Sequence, residues 1–397
     1  MDALMLPLNW QRVRLGDIAE IIGGGTPSTQ ITSFWNGSIN WFTPTEIGIT
    51  KYVYKSQRTI TPLGLKKSSA KLLPIGTILL TSRASIGDCA ILKVVATTNQ
   101  GFQSLIPLEK INNEFLYYLM LTLKNKLLKL ASGSTFLEVS PNKIKNLLIP
   151  LPPLNEQIAI ANILSDVDRY LYSLDALILK KESVKKALSF ELLSQRKRLK
   201  GFNQAWQRVR LGDICEFGNG GVYETLIVEN GDFKLISLNS IDIDGNLKNT
   251  MKRVNFYDNS LKQDDIVMVL SDVAHGDFLG LCAVIPSNDY VLNQRMGRLR
   301  IRNDCINILF LRLYINANQK YFKMQGQGSS QLNLSKKAIE DFEILLPPLN
   351  EQNAIANVLS ALDNEIISLK NKKRQFENIK KALNHDLMSA KIRVLEK

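Results

Sequence analysis

The chain has few of the residues that carry most enzyme and metal chemistry. It holds only two histidines in 397 residues, which leaves little capacity for acid–base catalysis. Its four cysteines are scattered without CxxC spacing: Cys89, Cys215, Cys282 and Cys305. A zinc site is not expected, because structural zinc sites use closely spaced cysteine and histidine pairs.

Sequence motifs of catalysis are also missing. There is no GxxxxGKS or GxxxxGKT phosphate loop, no HExxH and no GxSxG elbow. The Asp/Asn-Pro-Pro-aromatic tetrapeptide with which amino-methyltransferases hold a flipped base is absent too, because both Pro-Pro pairs stand in LPPL. We therefore expect no catalytic residue, metal or cofactor on this chain.

Long apolar segments are lacking as well. No run approaches the roughly 18 residues of a membrane-spanning helix, and the first residues lack the features of a secretory signal, so a cytoplasmic location is expected. What the chain does have is charge: 50 Lys and Arg against 37 Asp and Glu give a net charge of +13. This excess favours a polyanionic partner, with an ordinary basic protein as the alternative.

The most informative feature is an internal repeat. Residues 10–20 read WQRVRLGDIAE and residues 206–216 read WQRVRLGDICE, which is ten identities in eleven at an offset of 196. Residues 151–168 read LPPLNEQIAIANILSDVD and residues 346–363 read LPPLNEQNAIANVLSALD, which is fourteen in eighteen at an offset of 195. Between these anchor segments the halves differ. One frame that presents two different binding surfaces is predicted.

The segments between the anchors predict mixed α/β structure. Short β-rich runs alternate with Gly, Pro and Asn, and helical patterns cover residues 113–130 and 306–323. After Pro153 the chain has no proline or glycine from residue 154 to residue 200, which predicts one long helix. The fold class expected is α+β: two mixed α/β domains separated by two long antiparallel helices, related as a pseudo-twofold duplication.

Both long helices carry an apolar seam at steps of three and four residues. Its members are Leu164, Val167, Leu171, Leu174, Ile178, Leu188 and Leu192 in the first helix and Leu359, Leu362, Ile366, Leu369, Phe376, Leu383 and Leu387 in the second. We expect the two helices to pair within the chain, and a homodimeric coiled coil is the alternative. Residues 180–200 and 370–397 supply twelve of the thirteen net positive charges, either as a solvated face or as a contact for phosphates or an acidic partner.

The anchors WQRVRLGDI and LPPLNEQ, each present twice and the second followed by a long helix, resemble the specificity subunits of type I restriction-modification systems, over essentially the whole chain. The resemblance implies target recognition domains at residues 1–150 and 201–345 and conserved helical spacers at residues 151–200 and 346–397. Each recognition domain would read one half of a bipartite, asymmetric double-stranded DNA target.

The same resemblance implies partners. Two methyltransferase subunits, which hold S-adenosylmethionine and methylate adenine, would dock on the helices, and restriction subunits using ATP and Mg²⁺ would join them. This chain would be non-catalytic and hold no cofactor. A coiled-coil scaffold, a stand-alone enzyme and a simple DNA-binding repressor are the rival interpretations.

We expect DNA contacts from polar side chains on domain loops. In the first domain the candidates are Thr26, Ser28, Trp41, Thr43, Thr45, Lys51, Lys55, Arg58, Arg83, Ser132, Ser134 and Thr135. In the second they are Asn239, Ser240, Lys252, Arg253, Ser271, His275, Arg295 and Ser329. For each of them an ordinary surface or capping role is the alternative.

Two further features occur in both halves. The glycine-rich segments 23–25 and 218–221 lack GxGxxG spacing and are predicted to be flexible loops. Asn99-Gln100 and Asn293-Gln294 are shared by domains that are expected to read different sequences, so a structural role is predicted for them.

Overall fold

A computed structural model of the chain describes residues 7–133, 137–273 and 276–394. The chain forms two compact units, residues 1–176 with 371–397 and residues 177–370. Each unit contains one mixed α/β domain together with a segment of each long helix. Within the described ranges, no helix is long and apolar enough to cross a lipid bilayer.

The first unit is built around a five-stranded sheet. The strands of the whole unit are β1 (Gln11–Arg14), β2 (Ala19–Gly23), β3 (Trp35–Phe42), β4 (Tyr52–Val53), β5 (Arg58–Ile60), β6 (Ile78–Leu80), β7 (Cys89–Leu92), β8 (Ala96–Thr98), β9 (Gln103–Pro107) and β10 (Leu148–Leu151). Its helices are α1 (Pro62–Lys66), α2 (Asn113–Leu130), α3 (Pro141–Lys145) and the first part of α4 (Leu154–Leu193). The sheet orders are β2-β9-β6-β7-β4 and β5-β3-β8, and β1 pairs with β10.

The second unit repeats this plan. Its strands are β11 (Gln207–Arg210), β12 (Cys215–Asn219), β13 (Phe233–Ile236), β14 (Lys252–Val254), β15 (Ile266–Val269), β16 (Ser271–Val273), β17 (Cys282–Val284), β18 (Tyr290–Leu292), β19 (Met296–Ile301), β20 (Gln331–Asn333) and β21 (Glu343–Leu346). Its helices are α5 (Leu211–Ile214), α6 (Ile308–Ala317), α7 (Gln319–Gln325), α8 (Lys336–Glu340) and the first part of α9 (Leu349–Met388). The sheet orders are β12-β19-β15-β17, β14-β13-β18, β11-β21 and β16-β20.

Each domain packs one helix against its larger sheet. Helix α2 buries Phe115, Tyr118 and Met120 in the first core, and α6 buries Phe310 and Leu311 in the second. Both helices begin after an asparagine whose side chain accepts a hydrogen bond from the N–H three residues later. This N-cap satisfies one of the free donors at a helix start.

The anchor segments of the first half meet at a buried carboxylate. Strand β1 pairs antiparallel with β10, which brings the WQRVR segment beside the LPPL segment. The indole of Trp10 donates to Glu156 Oε2 at 3.0 Å, and Arg393, which follows the end of α9, donates from Nε to Glu156 Oε1 at 2.9 Å. A carboxylate removed from water needs such partners.

The second half repeats this contact with its own residues. The Trp206 indole donates to Glu351 Oε2 at 3.0 Å, and Arg198, which follows the end of α4, donates from Nε to Glu351 Oε1 at 3.0 Å. We call each set of tryptophan, glutamate and arginine a junction triad. The triads give a packing reason for the near-identity of the anchors.

The two long helices run antiparallel in each unit. In the first unit Asp175 pairs with Lys373 at 2.6 Å, and seven residues earlier on α4 Asp168 pairs with Lys380, seven residues later on α9. In the second unit the pairs are Lys181–Glu365, Lys185–Asp363 and Glu182–Lys370. The fourteen seam residues are all buried or half-buried. The predicted fold class, a duplication with paired antiparallel helices, is confirmed.

One pair of facing positions on the two long helices holds different side chains in the two units. In the first unit the rings of Tyr170 and Phe376 pack with centroids 4.6 Å apart. The repeat places Glu365 and Lys181 at the same positions in the second unit, where they form an ion pair at 2.8 Å. If α4 paired with a second copy of itself, Tyr170 would lie opposite Lys181. The side chains at these positions therefore favour the pairing of α4 with α9.

A buried lysine joins the first domain to its helices. Lys51 is only 4% exposed, and its Nζ donates to Tyr118 Oη and to Ser165 Oγ, both at 2.9 Å. It also forms an ion pair with Glu114, and Tyr118 donates to Asp168 on α4. Burial lowers the pKa of the Lys51 ammonium from its ordinary value.

We predict that Glu351→Gln lowers the free energy of unfolding of the second unit by about 2 kcal/mol, because the Trp206 indole and the Arg198 guanidinium lose their hydrogen bonds to a charged carboxylate. Urea unfolding followed by tryptophan fluorescence measures this, since Trp206 is the tryptophan of that unit. The matched control is Glu343→Gln, which breaks an exposed arginine–carboxylate pair with Arg208 and should change the free energy by less than about 1 kcal/mol. Equal effects of the two variants would contradict the role of the triad.

We also predict that Lys51→Met lowers the free energy of unfolding of the first unit by about 3 kcal/mol, because Glu114 would lose its buried partner. The exposed neighbour Lys55 supplies the control, and Lys55→Met should stay within about 0.5 kcal/mol of the parent. Hydrogen exchange of α2 amides reports the stability locally. No loss of protection in the Lys51 variant would refute the prediction.

Candidate nucleic-acid interface

A polar rim surrounds the end of β2 in the first domain. A Cβ built on Gly24 would lie 1.9 Å from the carbonyl oxygen of Asn99, and the N–H of Gly25 donates to the carbonyl of Thr98 at 2.9 Å. Only glycine permits this approach of two backbones. The Asn99 side chain accepts the N–H of Gly101 at 2.8 Å, and Thr26 donates to the Gln100 side chain.

The second domain builds the same rim at the end of β12. A Cβ on Gly220 would lie 2.0 Å from the carbonyl oxygen of Asn293. Asn293 accepts the N–H of Tyr223 at 3.1 Å and donates to Glu224 at 3.0 Å, and Gln294 donates to the same carboxylate at 2.7 Å. The hydrogen bond from Gln294 is the main cause that lowers the pKa of Glu224.

These contacts settle two predictions. The glycine-rich segments are packed strand ends rather than flexible loops, because their backbones lie against the Asn-Gln segments. Asn99-Gln100 and Asn293-Gln294 hold the rim together, so their predicted structural role is confirmed.

A short turn adds hydroxyl groups to each domain. In the first domain Thr43 Oγ1 donates to Glu46 Oε2 at 2.8 Å and lies 3.0 Å from the hydroxyl of Thr45. In the second, the Ser240 hydroxyl accepts the N–H of Ser237 at 2.9 Å. Both turns precede an isoleucine that is buried in the domain core.

The segment after β6 completes the rim of the first domain. The N–H of Ser82 donates to the carbonyl of Gly101 at 2.8 Å, and its own carbonyl accepts the N–H of Val139 at 3.1 Å. Beside this frame, Arg83 Nη2 forms an ion pair with Glu138 Oε2 at 2.8 Å.

The same frame follows β15 in the second domain. Leu270 donates to the carbonyl of Arg295 at 3.0 Å and accepts the N–H of Leu334 at 2.8 Å. Here the two side chains at the places of Arg83 and Glu138 are neutral: the Ser271 hydroxyl donates to Asn333 Oδ1. The backbone frame is therefore shared while the side chains differ.

The predicted DNA-contacting residues fall into four groups. Exposed are Ser28, Thr45, Lys55, Arg58, Ser132, Asn239, Lys252, Arg295 and Ser329. Half-buried are Thr26, Thr43, Arg83 and Arg253. Buried are Trp41, Lys51, Ser240 and Ser271. Ser134, Thr135 and His275 lie outside the described residues.

The buried candidates have internal partners. The Trp41 indole donates to the carbonyl of Gly25 at 2.9 Å and packs edge-on against Trp35, with ring centroids 5.0 Å apart. The exposed guanidinium of Arg58 lies 3.8 Å from the Trp35 ring centroid, and the Trp35 indole donates to the carbonyl of Ser28 at 3.0 Å. Arg58, Ser28 and the glycine-rich segment are thus brought together, whereas DNA contact by Trp41 would require it to leave the core.

Several residues of the rim were not among the candidates. Glu138 pairs with the candidate Arg83, and Asn333 accepts from the candidate Ser271. Glu224 accepts hydrogen bonds from Asn293 and Gln294. The repeat itself carried a signal for two of them, because Glu138 and Asn333 lie 195 residues apart, the offset of the LPPLNEQ anchors. The local residue types around them gave no such signal.

Comparison with known proteins finds a match to each half of the chain. The family model of the type I restriction modification DNA specificity domain matches residues 7–181 and again residues 203–378. The chain is 42% identical over 171 residues to the type I restriction enzyme MjaIX specificity subunit of Methanocaldococcus jannaschii, which is 42% of this chain and 40% of that protein. It is 37% identical over 161 residues to the EcoR124I/EcoR124II specificity subunit of Escherichia coli, covering 39% and 40%. These alignments therefore span less than half of either relative.

A longer alignment and solved structures extend the similarity. The MjaVIII specificity subunit of M. jannaschii is 28% identical over 423 aligned positions, covering 99% of this chain and 95% of that protein. The crystal structure of the S subunit from M. genitalium has a TM-score of 0.60 at 19% identity and covers 96% of this chain and 98% of its own. A chain from a study of assembly of the type I R-M system has a TM-score of 0.63 at 19% identity, covering 98% and 99%. With both halves matched by the family model, the chain belongs to the type I restriction-modification DNA specificity family.

Proposed function

We propose that this chain reads a bipartite, asymmetric sequence in double-stranded DNA and directs methyltransferase and restriction subunits to it. The first domain would read one half-site and the second domain the other. The paired helices would set the gap between the half-sites. The chain would supply recognition and leave the chemistry to its partners.

One observation carries this proposal: the same rim is built twice on one backbone frame and is lined by different side chains. Ion pair Arg83–Glu138 and hydrogen bond Ser271–Asn333 occupy equivalent places. Proteins read base sequence through side chains presented to the base edges, while the backbone frame sets position. Two unlike rims predict two unlike half-sites and hence an asymmetric target.

Charge supports DNA as the ligand. The chain carries a net charge of +13, and the exposed side chains of Arg58 and Arg295 belong to the segments that form the rims. Phosphate neutralisation by Lys and Arg supplies most of the sequence-independent affinity of DNA-binding proteins. A cytoplasmic location, where the chain would meet chromosomal or incoming DNA, follows from this function.

The long helices support protein partners. Beyond the buried seam, α4 exposes a second set of large apolar side chains: Leu154, Ile158, Tyr172, Leu179, Val184 and Phe190. Such surface favours a docked protein. We propose that two methyltransferase subunits, each holding S-adenosylmethionine, dock here and that restriction subunits using ATP and Mg²⁺ join the complex.

The decisive measurement is a map of methylated adenines in the source genome with and without this gene. We expect a bipartite motif, two short specified half-sites around an unspecified gap, that disappears when the gene is deleted. Restoring the gene on a plasmid is the control. A methylation pattern that does not depend on the gene would refute the proposed function.

At residue level, we predict that Arg295→Ala weakens binding of one half-site by about 1–3 kcal/mol, the contribution of an arginine that contacts a guanine through two hydrogen bonds. Competition binding with duplexes that carry the motif measures this. The matched control is Arg302→Ala: Arg302 is also exposed but lies beyond the opposite end of β19. Equal binding by parent and Arg295→Ala would remove Arg295 from the interface.

A further inference from the structure

The backbone hydrogen bonds that follow β6 and β15 are the same in both domains, but two side chains beside them differ. We call these two positions the rim pair. In the first domain it is Arg83 with Glu138, and in the second it is Ser271 with Asn333. The first member follows Ser82 or Leu270, whose N–H donates to the carbonyl of the residue directly after the Asn-Gln segment. The second member precedes Val139 or Leu334, whose N–H donates to the carbonyl of that same Ser82 or Leu270. The rim pairs are therefore equivalent by their backbone contacts, and their second members, Glu138 and Asn333, also lie 195 residues apart.

The fold does not require charge at the rim pair. The second domain keeps the same backbone hydrogen bonds with a serine and an asparagine in place of the ion pair. A partly exposed ion pair also contributes little to stability, because water screens it. Side chains at these positions are thus free to differ without loss of the frame.

The ion pair of the first domain has the geometry of a prepared base contact. The side chains of Arg83 and Glu138 are 42% and 32% exposed, so the guanidinium is held at one edge and open to solvent on the rest. An arginine fork has five N–H donors in one plane, and a carboxylate that holds one edge fixes the direction of that plane. The free donors match O6 and N7 of guanine in the major groove.

The second domain offers different chemistry at the same place. The Ser271 hydroxyl donates to Asn333 Oδ1, and Asn333 Nδ2 donates to the carbonyl of Gln331 at 3.2 Å. Asn333 is exposed and its amide is fixed by both contacts. An amide both donates and accepts, whereas a guanidinium only donates, so the two rim pairs present different hydrogen-bonding patterns to a base edge.

We propose that the rim pair is a base-selecting position in each domain. Arg83 contacts a guanine of the first half-site, with Glu138 as its positioning residue, and Asn333 selects a different base, adenine, at the equivalent point of the second half-site. The inference rests on the proposed function and names the specificity determinant within it.

The test exchanges the rim pair of the first domain for that of the second. The double variant Arg83→Ser with Glu138→Asn, in the full chain co-purified with its methyltransferase partner, selects bound duplexes from a random-sequence pool, and the bound pool is sequenced. We expect one position of one half-site to lose its guanine enrichment by between about 5-fold and about 100-fold, with the other half-site unchanged. Glu138→Gln alone should weaken the same position by less.

Controls separate the possible results. Arg208→Ser with Glu343→Asn removes a similar exposed ion pair from β11 and β21 and should leave the selected motif unchanged. A melting temperature equal to that of the parent shows that the rim variant is folded. A motif unchanged by the rim variant, or weakened evenly at all positions, would overturn the rim pair as a determinant. A parent complex that selects no bipartite motif would instead overturn the proposed function.

Discussion

The structure depends on one buried carboxylate at the start of each long helix. Glu156 and Glu351 each accept a hydrogen bond from the indole that opens their domain and from an arginine that follows the end of the other long helix. Because a buried carboxylate that loses its partners destabilises a fold by several kcal/mol, these segments must stay together. The entry strand, the last strand of the domain and both helices are thus tied at one point in each unit, which accounts for the near-identity of the anchors.

Away from the triads, equivalent positions of the two units hold side chains of different chemistry. In the first unit the rings of Tyr170 and Phe376 pack between the long helices, and in the second unit Lys181 and Glu365 form an ion pair at the equivalent positions. The rims behave in the same way, because their frame is made by backbone hydrogen bonds and by glycines. A frame held by the backbone leaves side chains free to diverge. That freedom suits a family whose members are built for DNA specificity.

The resemblance carried by the anchors was sufficient to predict the family and the fold. It did not predict which individual side chains lie on the rims. The anchors and the long helices could be predicted because their signals are local: identical segments at one offset, proline-free runs and apolar steps of three and four. Individual rim residues could not, since every loop offers polar side chains. Lys51 resembled a surface cation in the sequence but lies in the core, where Glu114 and Tyr118 come from distant segments.

The sequence by itself determined the duplication, the two domains with their helices, and the family, because each rests on patterns within a few dozen residues or on repetition. Only the tertiary structure decided which polar groups are buried and which face solvent. It placed Trp41 in the core and turned the glycine-rich segments into packed strand ends. It also joined Arg83 to Glu138 across fifty-five residues of chain. The physical reason is that burial and ion pairing depend on groups brought together by folding, and no local pattern specifies their partners.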